Sequence, residues 1–186
     1  MPVDRTLSLT ATPTLIWNGP NDIGATMAYQ QTASVPNMPN VVDRRSGQID
    51  LSHLPNNANY TSNVDIMITL DASGLIDPSR NPVPAAWAVA GDPVNNPMNG
   101  VPPNTPWAWF CANPPSPGAQ YNTTPIPIPN MTSIRNSDSV VFIDDNAAIG
   151  TGNYTFCLGL VLWPAGRRYF ITIDPSIVGK GIGGPP

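Results

Sequence analysis

The sequence predicts an all-β protein, arranged as a two-sheet antiparallel β-sandwich of jelly-roll type with a long, ordered, proline-rich loop. Three observations lead to this prediction: several segments alternate apolar and polar residues, prolines number 24 in 186 residues, and charged residues make up only 11%. Glu is absent and Lys180 is the only lysine, whereas helical surfaces depend on both residue types. Because an interior proline costs a helix about 3 kcal/mol, the prolines also argue against helices.

The clearest element is a hairpin near the C-terminus. Apolar side chains occupy the even positions from Tyr154 to Leu162, which is the period of a strand with one face on a core. Pro164-Ala165-Gly166 then predicts a turn, because proline presets φ and glycine accepts the positive φ that follows. A second alternation over 169–173 completes the hairpin.

Weaker patterns predict the strands of the first half. Alternation over residues 6–12 predicts a first strand that continues past Pro13 to about residue 17. Residues 21–47 are predicted to be mostly loop, with a short strand around 25–31. Two further alternations, at 48–53 and 64–70, predict two more strands.

The segment from Pro78 to Pro129 contains many of the prolines, so it cannot form a long central strand. We expect short edge strands at 83–90 and 107–111, with extended, ordered loop between them. Another strand is predicted at 139–144. Residues 1–178 are then one domain, and 179–186 form a flexible Gly/Pro tail.

Charge and hydropathy limit the partners and the compartment. The net charge of −4 comes without any basic stripe or cluster, so we expect neither nucleic acid nor a membrane surface as a partner. A weakly charged surface repels its own copies little, which favours self-association. The N-terminus carries no apolar signal segment, so we expect a soluble protein, cytoplasmic as synthesised, with inclusion formation or non-classical release open.

Residues for catalysis are scarce, and the sequence predicts that the protein is not an enzyme. His53 is the only histidine, and it falls on the apolar phase of its predicted strand. A buried or interfacial imidazole is therefore a better interpretation than a general base. No Gly-x-Ser-x-Gly motif is present, and no pattern singles out a pair of carboxylates.

Two sites for metal or redox chemistry stay open. Asp144, Asp145 and Asn146, with Asp138 nearby, offer hard oxygen ligands for Ca²⁺ at a strand end. The alternative, which we favour, is that these residues simply form the turn, and no other cofactor is expected. Cys111 and Cys157 either pair or remain two buried thiols, and no feature of the sequence indicates an oxidising compartment.

Tryptophans give the better functional clue. Trp87, Trp107 and Trp109 lie in the proline-rich segment, where they could line a ligand-binding groove. Flat apolar rings beside Asn and Asp side chains suit glycans. Two alternatives remain open: these rings fix a loop to the core, or they are buried in an interface between copies.

The C-terminal hairpin also resembles a known family. The segment at 150–156 reads Gly-Thr-Gly-Asn-Tyr-Thr-Phe, and the segment at 169–178 reads Tyr-Phe-Ile-Thr-Ile-Asp-Pro-Ser-Ile-Val. Together they resemble the C-terminus of the bacterial inclusion-body family typified by PixA and AidA. The family closes with a Gly-Thr-Glu-x-Tyr strand and a Tyr-x-Trp-Asp-Pro-Thr-Ile ending; Ile173 stands here in place of its Trp. The resemblance implies a small β-sandwich made in quantity by bacteria, in some cases stored in cytoplasmic inclusions, and it supplies no catalytic residues.

Three hypotheses follow, in this order. The first is a non-enzymatic, self-associating β-sandwich of the PixA/AidA type, whose partner is a second copy of itself. The second is a carbohydrate-binding module, or lectin, that stacks sugars on Trp107 or Trp109. The third is a jelly-roll subunit of a capsid, fibre or other ordered assembly.

Overall fold

The fold is all-β, as predicted. The computed structural model describes residues 1–19, 22–51, 54–55, 57–87, 108–112, 126–127, 132–134, 140–144, 153–173 and 176–178. Within these residues it contains β-strands, one 3₁₀ turn and no α-helix, and no helix long and apolar enough to cross a membrane. The strands are β1 Val3–Gly19, β2 Asp22–Val35, β3 Ile49–Asp50, β4 Tyr60–Leu70, β5 Ala85–Trp87, β6 Ala108–Ala112, β7 Ile126–Pro127, β8 Thr132–Ile134, β9 Val140–Asp144, β10 Asn153–Leu162, β11 Tyr169–Ile173 and β12 Ser176–Val178.

The strands form two sheets. The described part of the first sheet has the order β2-β1-β4-β9-β8, and that of the second has the order β3-β12-β10-β6-β7, with β5 and β11 also paired to β10. Most pairs are antiparallel, but β1 pairs with β4 and β3 pairs with β12 in parallel. The expectation of purely antiparallel sheets is therefore wrong at these two pairs. For β4 the reason is the connection over residues 36–59, which carries the chain from β2 to the opposite side of β1.

Strand β1 is continuous from Val3 to Gly19, and along it the odd-numbered side chains point toward the core while the even-numbered ones point away. Leu7, Leu9 and Ala11 are buried, while the residues between them are half-buried or exposed. Pro13 keeps this phase and lies opposite Met27 of β2 without ending the strand. Proline is tolerated there because its missing N–H would point away from β2.

Strand β2 is longer than the sequence predicted. It spans Asp22–Val35 and pairs with β1 over its whole length, with one register shift near Ala33 and a second near Asp22. Only Met27 and Tyr29 are buried in it, so the hydrophobic pattern marks just its centre. A strand at the edge of a sheet needs no apolar pattern at its ends, since one neighbour supplies its ladder hydrogen bonds.

One hydrophobic core draws on both sheets. Leu9 and Ile68 of the first sheet belong to the same buried cluster as Leu160 and Trp87 of the second. The Trp87 ring is fully buried, and its Nε1–H donates to Ile68 O at 3.1 Å. This hydrogen bond links β5 directly to β4.

The C-terminal hairpin has the predicted form. β10 and β11 pair antiparallel from Leu158 opposite Ile173 to Leu162 opposite Tyr169. The turn is a 3₁₀ segment, Pro164–Gly166, in which Gly166 adopts a φ of 75°. A positive φ at this position is what the Pro-Ala-Gly sequence predicted.

One charged side chain is buried among the described residues. Arg5 of β1 is 2% exposed, and its Nη2 donates to Pro55 O at 2.7 Å. Within the part of the chain that the structure describes, its Nε has no hydrogen-bond partner. A guanidinium held by one neutral acceptor carries a desolvation cost that this contact offsets only in part.

Several predictions fall partly or wholly outside the described residues. Most of the proline-rich segment does. Within it, β5 and β6 are short strands where short strands were predicted, but β6 lies between β10 and β7 and not at an edge, and β7 was not predicted as a strand. His53 and the tail at 179–186 lie outside as well. The division into one domain and a tail stays a prediction.

Candidate functional site

The far half of the β1–β2 hairpin extends beyond the other described strands of the first sheet. Pairing between β1 and β4 ends with Ala11 opposite Leu70, whereas pairing between β1 and β2 continues to Gly19 opposite Asp22. We call residues 13–19 and 22–27 the distal hairpin. Because β4 does not reach it, this ribbon has two strands where the rest of the sheet has more, and two-stranded ribbons are marginally stable alone.

The direction of the backbone groups in β2 follows from two hydrogen bonds. Ala11 O accepts from Asp71 N on the β4 side of β1, and Tyr29 N, opposite Ala11, donates to Arg44 O. The backbone N–H and C=O of Tyr29 therefore point away from β1. In an antiparallel pair this orientation recurs at every second residue. The N–H and C=O groups that point to the outer edge of the distal hairpin are those of Ile23, Ala25 and Met27.

Among the described residues no strand pairs with this outer edge, although β11 of the second sheet lies near β2 without forming a ladder with it. No described residue bonds the outer-edge groups of Ile23, Ala25 or Met27. Proteins commonly protect such an edge with lysine, proline or a bulge. β2 carries one charged residue, Asp22, and no proline. Its pairing with β1 shifts register near Ala33 and again between Trp17 and Gly19, where the extra residue, Asn18, is on β1 and not on β2. The distal edge therefore lacks the usual protection.

A loop closes the edge just past Met27. Asp43 organises this loop: its Oδ1 accepts from Arg45 N at 3.0 Å and from Ser46 N at 2.7 Å. These bonds, with the Ser46 hydroxyl, lower the pKa of Asp43, the Ser46 backbone being the largest cause. The ordered loop places Arg44 O against Tyr29 N. The open part of the edge therefore ends at Met27.

Gly47 lets the same loop lie against the core. It has a φ of 71°, and its Cα approaches the buried ring of Tyr29 so closely that a Cβ would meet Cε2 at 2.5 Å. Only glycine satisfies both conditions without displacement.

The other side of the distal hairpin borders a cleft of about 230 Å³. Its lining combines apolar side chains, prolines and one carboxylate: Pro13, Thr14, Leu15, Trp17, Gly74, Leu75, Ile76, Asp77 and Pro78. Trp17 is half-buried and Ile76 is 54% exposed. The cleft is thus lined by a half-buried tryptophan, other apolar residues and one acidic residue, which is the composition of a small-molecule site.

Asp77 is the charged group of this cleft, and its carboxylate is held in place. Its Oδ1 accepts from Asn81 N at 2.8 Å and its Oδ2 from Asn81 Nδ2 at 3.0 Å. The side-chain hydrogen bond from Asn81, followed by the backbone one, lowers the pKa of Asp77. The carboxylate is therefore ionised and oriented at neutral pH.

The predicted tryptophan groove is placed only in part. Trp87 lies in β5 with no exposed surface, so it contributes to the core, as the core-fixing alternative expects. Trp109 lies in β6 opposite Cys157 of β10, and Cys111 lies opposite Thr155. Trp107 lies outside the described residues. A groove formed by Trp107 and Trp109 stays a prediction.

The proposed Ca²⁺ ligands are likewise placed only in part. Asp144 is the last residue of β9 and lies opposite Asp65 of β4. Asp138, Asp145 and Asn146 lie outside the described residues. Among the residues that the structure does describe, no cluster of three or more His, Cys or Asp side chains forms a metal site.

Sequence reasoning missed the distal hairpin as a site. Residues 22–35 contain a single charge and no proline, which was a usable signal for an unprotected edge. The sequence pattern places Trp17 in a strand, but its cleft depends on Leu75 and Ile76, about sixty residues further along the chain. Such a contact is not visible in a local pattern.

Comparison of the chain with protein-family models, with curated proteins and with solved structures finds no match in any of the three.

Proposed function

We propose that this chain is a non-enzymatic, self-associating protein whose two sheets stack as a β-sandwich of jelly-roll type. The stacking is supported by the core cluster that both sheets share and by the Trp87–Ile68 hydrogen bond between them. Two sheets that bury a common apolar layer are typical of sandwiches.

One observation carries the proposal of self-association: the outer edge of the distal hairpin is long enough to pair and is unprotected. Ile23, Ala25 and Met27 present free N–H and C=O groups along it, within the described structure. Such an edge is a template for another strand. The low charge of the chain, at 11% charged residues, leaves little repulsion between copies.

The similarity of the hairpin at 150–178 to the PixA/AidA inclusion-body family supports the same function. In this proposal the protein accumulates through contacts between its own copies, inside the cell that makes it. No catalytic group is required.

The test compares oligomeric state across a wide concentration range by light scattering, for the wild type and two variants of one residue. Ala25→Pro deletes an outward-pointing N–H and leaves every hydrogen bond to β1 in place. Ala25→Ser changes the side chain and keeps the N–H, so it is the matched control. We expect concentration-dependent association in the wild type and Ala25→Ser, and weakened association in a folded Ala25→Pro.

Two results would contradict the proposal. A wild type that stays monomeric at the highest concentration removes self-association altogether. If all three proteins associate equally and unfolding curves show that each is folded, the contact between copies does not use this edge. Electron microscopy of the associated material separates a regular particle or fibre, the third hypothesis, from amorphous inclusions.

A second candidate function, binding of a glycan or similar small molecule, is favoured by the cleft at Trp17. Its half-buried indole and the oriented carboxylate of Asp77 provide a stacking face and a fixed acceptor. Tryptophan fluorescence of the wild type and Trp17→Phe, titrated with a glycan panel, tests it. A saturable change that Trp17→Phe abolishes supports binding at the cleft, and a wild-type signal unmoved by the whole panel refutes it.

A further inference from the structure

We infer that two copies of this chain pair edge to edge through β2, antiparallel, with a twofold axis at Ala25. The inference rests on the proposed self-association and adds the partner strand, its direction and its register. The occupant of the open edge is then the same edge of a second copy.

The two ends of the open edge limit the register. On one side, the bond from Tyr29 N to Arg44 O occupies the next outward-pointing group after Met27. On the other side, β2 begins at Asp22. This leaves Ile23, Ala25 and Met27 as the outward-pointing residues of the distal edge. Only one antiparallel register pairs all three of these residues in both copies, and it places Ala25 of one copy opposite Ala25 of the other.

This register satisfies the open backbone groups on both copies. Ala25 pairs with the second copy's Ala25, and Ile23 of each copy pairs with Met27 of the other. Residues that point toward each other in an antiparallel pair exchange two N–H···O bonds. The three residue pairs therefore form about six hydrogen bonds, which is two for each pair. A shift by two residues in either direction leaves one open position on each copy without a partner.

The side chains also match in this register. On the inward face, Ile23 meets the second copy's Met27, an apolar contact that extends the partly buried row at the edge of the core. On the solvent face, Gly24 lies opposite Thr26, a small residue against a larger one. Asp22, the one charge of the strand, lies opposite Ala28, so the two copies of Asp22 are at opposite ends of the contact.

The paired copies would share one continuous sheet. The described part of each first sheet has five strands with β2 at its edge, so the joined sheet has ten. A contact of this kind also gives the two-stranded distal hairpin a third strand, which stabilises it. A twofold contact uses the same patch on both copies and closes on itself.

Disulfide trapping tests the register. In Ala25→Cys the two new thiols face each other across the axis, where Cα atoms of a hydrogen-bonded pair are about 5.5 Å apart, within the range of a disulfide. Ala28→Cys is the matched control, because six residues of offset along a strand separate its two copies by about 20 Å. We expect mild oxidation with oxidised glutathione to convert Ala25→Cys to a dimer and to leave Ala28→Cys monomeric. Peptide mass spectrometry must assign the bond to residue 25, since Cys111 and Cys157 are also present.

The two thiols of Ala25→Cys could meet at an angle that disfavours a disulfide, so a mixture of two further variants provides a second test of the same register. Gly24→Cys and Thr26→Cys face each other as a non-hydrogen-bonded pair, the closer of the two pair types. A Cβ at Gly24 would make only ordinary contact, 3.8 Å from Ile16 Cβ, so this cysteine fits. We expect the mixture to form a 24–26 heterodimer.

The outcomes separate the register from the self-association on which it rests. A residue-25 homodimer or a 24–26 heterodimer, without an Ala28→Cys dimer, supports the inference. Concentration-dependent association with neither crosslink, or with equal crosslinking of Ala28→Cys, overturns the register and leaves self-association standing. A wild type that is monomeric throughout overturns both.

Discussion

Replacing Gly47 by alanine should destabilise the protein strongly. The residue has a φ of 71°, and a new Cβ would lie 2.5, 2.7 and 2.9 Å from three atoms of the Tyr29 ring. A left-handed conformation costs a non-glycine residue about 1–2 kcal/mol, and forcing a methyl group into a packed site costs about 1–3 kcal/mol more. We therefore expect Gly47→Ala to lower the free energy of unfolding by about 2–5 kcal/mol.

Two other glycines separate these contributions. Gly166 has a φ of 75° and no atom within 4 Å of its ideal Cβ, so Gly166→Ala should show the conformational cost alone. Gly74 has open space at its Cβ and no positive φ, so Gly74→Ala should change stability by about 0.5 kcal/mol or less.

Urea unfolding followed by tryptophan fluorescence measures all three variants on one scale. In thermal unfolding of a chain of this size, the same loss in Gly47→Ala corresponds to a Tm lower by roughly 4–20 °C. If Gly47→Ala and Gly166→Ala lose equal stability, the contact with Tyr29 adds nothing and the reasoning is refuted. If Gly74→Ala loses as much as Gly47→Ala, glycine flexibility rather than the local geometry explains the effect.

Three further predictions concern the core and the cleft. Trp87→Phe removes the hydrogen bond to Ile68 O and leaves part of the space of a fully buried indole ring empty, so urea unfolding should show a loss of about 2–4 kcal/mol; a loss below about 0.5 kcal/mol would contradict this role. Arg5→Met should be neutral or stabilising in the same assay, because it removes a buried charge that one neutral acceptor holds, and a loss as large as that of Trp87→Phe would show that the guanidinium is needed. The pKa of Asp77 is lowered from 3.8 in the fold, so its stabilising effect is present above that pH and is lost as pH falls through the lower value of the folded state. Thermal unfolding from pH 5 to pH 2 should therefore show a shallower fall in Tm for Asp77→Asn than for the wild type, and equal slopes would refute it.

The parts of the fold that local sequence determines were predictable. The β10–β11 hairpin is one: its alternation is uninterrupted, and Gly166 at a φ of 75° is the residue that the turn needs. Strand β1 is another: Leu7, Leu9 and Ala11 form its buried face, and the polar residues between them lie on the opposite face.

The parts that depend on distant segments were not predictable in the same way. The parallel pairing of β1 with β4 depends on the path of residues 36–59, which no local pattern encodes. β2 was predicted too short because residues 22–24 and 32–35 show no alternation of apolar and polar side chains and receive their order from pairing with β1. The burial of Trp87 depends on Ile68 O, a contact between sheets.

Residue-resolved amide hydrogen exchange at low and high protein concentration tests the central claim, pairing through the β2 edge, most directly. The amides of Ile23, Ala25 and Met27 point to the open edge, and those of Gly24 and Thr26 point to β1. We predict that protection of the first set rises with concentration, while protection of the second set is present throughout. Protection of Ile23, Ala25 and Met27 that does not change with concentration, in a protein that nonetheless associates, would contradict the account.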